Sequence, residues 1–128
     1  MKKLIVAALV LMGSSAMADT TVLKCAVPES SVSLNVDLAD DQSVDFVIVS
    51  LNEKSSQTVF FSQMDKGTVA AQIKGGFFNL LALTDNTTQE DGVIKNTGFL
   101  ILGKEADGSF GGLLAAKGNV YPLVCTTK

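Results

Sequence analysis

Two cysteines, Cys25 and Cys125, stand near opposite ends of a chain of 128 residues. Nothing else in the sequence restricts the fold as strongly, provided the two thiols meet an oxidising compartment. The first 18 residues predict that they do. Lys2 and Lys3 supply a basic start, residues 4–12 are unbroken apolar, and Ser14, Ser15, Ala16, Met17 and Ala18 form a small-residue cleavage site. This is the layout of a secretory signal peptide, cut after Ala18. The apolar run is far shorter than the ~20 residues of a spanning helix, so no stable membrane insertion is expected after cleavage. The expected domains are therefore a cleaved signal peptide at 1–18 and a single β domain at 19–128, periplasmic or secreted.

In such a compartment two cysteines pair. An acylated Cys25 would want a small residue before it, where the sequence has Lys24, and it would leave Cys125 without a partner. A disulfide needs Cα atoms within about 7 Å. The two ends of the domain must then lie side by side.

Between the cysteines the hydropathy has a period of two. In "SVSLNVDL", Val32, Leu34, Val36 and Leu38 alternate with Ser31, Ser33, Asn35 and Asp37, as on a half-buried strand. Similar runs are "TTVLKCAV", "SVDFVIVSL", "QTVFFSQM", "TVAAQIK", "FFNLLALT", "VIKNTGFLILG", "FGGLLAAK" and "NVYPLVCTT". That makes about eight or nine short strands. Asp91-Gly92, Asp107-Gly108, Gly67, Gly75 and Gly118 supply turn chemistry. Gly111-Gly112 predicts a bulge or bend within its strand. The best helix candidate is "SFGGLLAAK", weakened by its glycines, and no helix of useful length is expected. Short connections favour antiparallel pairing in chain order. With the first and last strands tied, the expected fold is all-β: an antiparallel meander closed as a small β-barrel. A two-sheet β-sandwich bridged through its core would satisfy the same cysteines. Pro122 fits an edge or bulge.

The composition narrows the chemistry. The chain has no His, Trp or Arg, and 8 Lys remain against 13 acidic residues once Lys2 and Lys3 are removed, a net charge of −5. Such a domain has no basic footprint for nucleic acid. Without histidine there is no ordinary Ser-His or Cys-His pair, and with both cysteines bonded no Cys/His zinc site. Asp37 and Asp45 would face each other on the outside if Leu38 paired with Val44, sharing a proton at most. Asp85, Asn86, Glu90 and Asp91, and separately Asp37, Asp40 and Asp41, carry oxygen ligands of the kind calcium takes. They lack its loop spacing and suit turns equally well. No catalytic, metal or cofactor site is assigned, and the chain is expected not to be an enzyme.

A surplus of apolar residues is the remaining clue. In "VDFVIVSL", Val44, Phe46 and Ile48 face one way and Val47, Val49 and Leu51 the other; Leu80 to Leu83 and Phe99 to Leu102 are also apolar on both faces. A barrel has one interior. The excess calls for a second protein layer, a partner-binding or self-association patch, or lipid, which a chain with one Tyr and no Trp is poorly equipped to face. The favoured expectation is a non-enzymatic binding module, an inhibitor, adaptor or assembly subunit, recognising a protein partner or a second copy. Loops 52–56 and 85–92 would be presented by the scaffold. The alternatives are a carrier of a small apolar ligand, with Phe60, Phe61, Phe77, Phe78, Phe99 and Phe110 as walls, or a structural envelope protein.

Overall fold

The structure, a computed structural model, describes residues 19–85 and 98–127; the segment 1–18, expected to be a signal peptide, and most of the 85–92 loop lie outside them. Eight antiparallel strands close into a barrel in chain order. They are β1 (Asp19–Ala26), β2 (Ser33–Ala39), β3 (Val44–Glu53) and β4 (Ser56–Asp65), then β5 (Phe77–Asp85), β6 (Gly98–Lys104), β7 (Phe110–Ala116) and β8 (Asn119–Thr126). One helix, α1 (Thr68–Lys74), links β4 to β5.

Alternation decides what the barrel contains. Leu23, Leu34, Val36, Val47, Val49, Leu51, Phe60, Phe78, Leu80, Leu83, Leu100, Leu102 and Leu114 point inward and are essentially inaccessible. Each contributes roughly 1.5–3 kcal/mol by leaving water. Cys25 and Cys125 are also inside, directly opposite each other in register, with their Cα atoms 4.0 Å apart and their sulfurs bonded. Closure therefore follows as expected from the two cysteines.

Closure is uneven around the barrel. Within the first four strands the ladders run to seven, six and ten residue pairs. Within the last four they run to five, seven and seven. The two seams joining these halves are short: three pairs between β1 and β8, and two between β4 and β5, Phe60–Asp85 and Phe61–Thr84. A closed barrel thus keeps something of the two-sheet alternative, because two four-stranded walls meet at narrow joins. Cys25–Cys125 is the middle pair of the first seam. Pro122 lies where β8 has only β7 beside it, the edge-like position a proline tolerates.

The second seam is filled by α1. "TVAAQIK" is a helix and not the strand its β-branched residues predict. Val69 and Ile73, four residues apart, place one helical face on the core. Gly67 at its start (φ 93°) has no side chain to cap the helix. Asp45 does so from β3: it is 2% exposed, and its Oδ2 accepts the Val69 N–H at 2.8 Å. At the other end Gln72 Oε1 accepts the Asn79 N–H of β5 at 2.7 Å, replacing a strand partner.

"FGGLLAAK" supplies strand β7, as its pattern predicts. The bulge expected at Gly111-Gly112 is not there, since β7 pairs on both sides without a register shift. A Cβ on Gly112 would lie 1.9 Å from the Ile101 carbonyl oxygen, so the glycine marks a close backbone approach. Register shifts occur instead at Thr21/Leu23 and Leu80/Leu83.

Candidate functional site

The second wall, β5 to β8, has an unusual outer surface. Its outward side chains fall into cross-strand rows fixed by the register. Phe77, Gly103, Gly111 and Val124 make one row; Asn79, Ile101, Leu113 and Pro122 the next. The shift between Leu80 and Leu83 then sets Leu81 and Ala82 beside Phe99, followed by Ala115 and Val120. No residue in these rows is charged. Asn79, their polar member, is partly engaged, since its Oδ1 accepts the Leu102 N–H at 3.3 Å. Phe77, Leu81, Phe99, Ile101, Val120 and Val124 are between 39% and 73% exposed, Leu81 the most.

The bulge explains Leu81. Two residues on β5 oppose one on β6, so the extra residue is pushed out of the ladder. Across β6 the same row dips. Gly98, Phe99, Ala115, Ala116, Gly118, Asn119 and Val120 line a shallow open hollow of about 370 Å³. Its floor is low because glycine and alanine stand where larger side chains would fill it.

The first wall differs. Lys24, Asn35, Asp37, Ser50 and Gln63 share its exterior with Phe46, Ile48, Val59 and Phe61. The apolar residues there shield one another, with the Phe46 and Phe61 rings stacked at 5.6 Å and 25°. Lys24 on β1, Lys104 at one end and Lys117 at the other border the apolar wall; the Glu105 carboxylate folds over Gly111 and so occupies part of the first row.

A second cluster spans the end of the barrel that carries the β3–β4 and β7–β8 hairpins. Lys117 Nζ donates to Glu53 Oε1 at 2.9 Å and to Thr58 Oγ1 at 3.1 Å; the Tyr121 hydroxyl donates to Glu53 Oε2 at 3.2 Å. The Lys117 contact holds the Glu53 carboxyl below its ordinary value, opposed by partial burial and aided by Tyr121. Glu53 in turn raises Lys117. This strap ties β3 to the β7–β8 turn across the mouth of the barrel.

The sequence-derived candidates separate in space. Phe60, Phe78 and Phe110 are inside, whereas Phe61, Phe77 and Phe99 face out, so the six do not surround one pocket. Asp37 and Asp45 do not meet. Leu38 pairs with Val47 rather than Val44, a shift of three that turns Asp45 inward and leaves Asp37 outside opposite Ile48. Asp41 is engaged by its own turn, accepting from Ser43 and Val44, which lowers its pKa. Among the described residues, no three His, Cys, Asp or Glu side chains gather as a metal site would require. Of the 52–56 and 85–92 loops, the first is a tight hairpin and the second falls outside the described residues beyond Asp85. The apolar rows on β7 and β8 escaped sequence reading, although Val120, Pro122 and Val124 alternate with buried Tyr121, Leu123 and Cys125. The chain matches no protein-family model, no curated protein and no solved structure.

Proposed function

We propose that this is a non-enzymatic binding module of the periplasm or secreted space, which takes a protein partner on the outer wall of β5 to β8. One observation carries the reading: four adjacent strands present three consecutive, largely apolar rows, the inner two without a charged residue and the outermost met by a single carboxylate, Glu105 over Gly111. Taking roughly 150–250 Å² for a fully exposed large apolar side chain, the six exposed residues offer on the order of 600 Å². That is the upper end of what monomeric proteins leave open. Lipid is a poorer match, since insertion of the whole barrel would also bury Lys24 and Asp37 of the first wall, which is costly in hydrocarbon. A carrier role has less support, because the phenylalanines divide between interior and exterior. The acidic chain without arginine lacks the basic surface that nucleic acid binding requires.

Site-specific photo-crosslinking in the producing cell tests the proposal. A photoreactive residue at Ile101 or Val120 should yield protein adducts, and one at Asn35 on the first wall should not. Adducts absent from the β5–β8 positions, or equally abundant from both walls, would overturn it.

A further inference from the structure

We infer that the partner on this wall is a second copy of the same chain, docked so that Leu81 of each copy enters the hollow of the other. The inference rests on the binding role proposed above and specifies its occupant. A two-fold interface must be self-complementary: whatever projects from the patch needs a recess on that same patch. This wall contains both. Leu81 projects from β5, and the hollow lined by Ala115 and Val120 lies on β7 and β8. The two sit in one cross-strand row on either side of Phe99 of β6. A two-fold axis running along β6 exchanges them, and it sets Phe99 on Phe99 and Ile101 on Ile101 of the second copy.

Electrostatics point the same way. The mature chain is acidic overall, so two copies repel unless they meet through neutral surface. The second and third rows, Asn79 to Pro122 and Leu81 to Val120, are that surface. Glu105, whose carboxylate lies over Gly111 of the first row, and Lys104 form its rim, where charges remain hydrated. The apolar area, on the order of 600 Å² per copy from the six side chains alone, approaches the ~800 Å² per partner of a standard interface.

Sedimentation velocity on the disulfide-intact mature chain across a concentration series tests the inference. The wild type should form a reversible dimer. Leu81→Ser, which removes the knob, and Val120→Asp, which charges the rim of the recess, should each weaken it about tenfold or more. Both residues are exposed, so the variants should keep the wild-type circular dichroism. Separately purified Leu81→Cys and Val120→Cys chains, mixed and mildly oxidised, should crosslink to each other in preference to themselves. A dimer indifferent to both substitutions, or crosslinks only between identical variants, would overturn the inference. A wild-type monomer that binds a hydrophobic dye, with the dye signal lost in Val120→Asp, would overturn the second copy while leaving a wall open to another protein. A monomer without dye binding would remove both readings.

Discussion

Replacing both cysteines, as Cys25→Ala with Cys125→Ala, is the most informative perturbation of the fold. The bond joins positions 100 residues apart. In the chain-entropy model a loop of that length stabilises by about 4.7 kcal/mol at 25 °C, through the conformations it denies the unfolded chain. Little in the seam compensates. β1 and β8 share three residue pairs, and the cysteine pair is the middle one. The expected loss is thus about 4–5 kcal/mol, a large part of the 5–15 kcal/mol typical of a domain. Urea denaturation followed by circular dichroism reads it directly, as a midpoint lower by roughly 2–4 M for ordinary slopes. The slope should also rise, since an uncrosslinked unfolded chain exposes more surface. β1 still pairs with β2, and β8 with β7, over seven residues each. The variant should therefore open into a sheet with two bare edges and aggregate on concentration. A loss below about 2 kcal/mol with an unchanged slope would refute the reasoning, because the entropic term depends only on loop length.

Two further outcomes follow from the polar contacts. Asp45→Ala strands the buried Val69 N–H and should cost about 1–3 kcal/mol in urea denaturation, whereas Asp45→Asn retains an acceptor and should cost less. Acid titration should show stability from Glu53, Asp41 and Asp107 present above their ordinary values of 4.5, 3.8 and 3.8 and lost as the pH falls through their lowered folded values. Unfolding midpoints should thus drop below about pH 4, and Glu53→Gln should remove its share of that slope; an unchanged slope would discount the strap.

The fold was legible where covalent chemistry and alternation acted together. Cys25 and Cys125 imposed adjacent ends, and "SVSLNVDL" announced its buried face because every second residue is polar. Helix α1 was harder. Seven residues carry little periodicity, and Val69 and Ile73 also suit a strand; their spacing of four, with Gly67 before and Gly75-Gly76 after, was the available signal. Strands apolar on both faces give no inward direction from pattern alone, so the β3, β5 and β6 faces waited on register. Register also undid the Asp37–Asp45 pairing, since an odd shift turns a side chain through the sheet. Leu81 was invisible for a related reason: a bulge depends on the count in the neighbouring strand, which β5 does not itself contain.

The placement of the sulfur–sulfur bond has a mechanical corollary. Pull on the chain outside the two cysteines and the load passes from one backbone segment to the other through the bond, bypassing the 100-residue span between them. The start of β1, paired with β2 before Cys25, carries the load, whereas the helix and the apolar face stay slack under that tension. A tether attached at both ends could therefore be stretched taut without disturbing the surface proposed to recognise a partner.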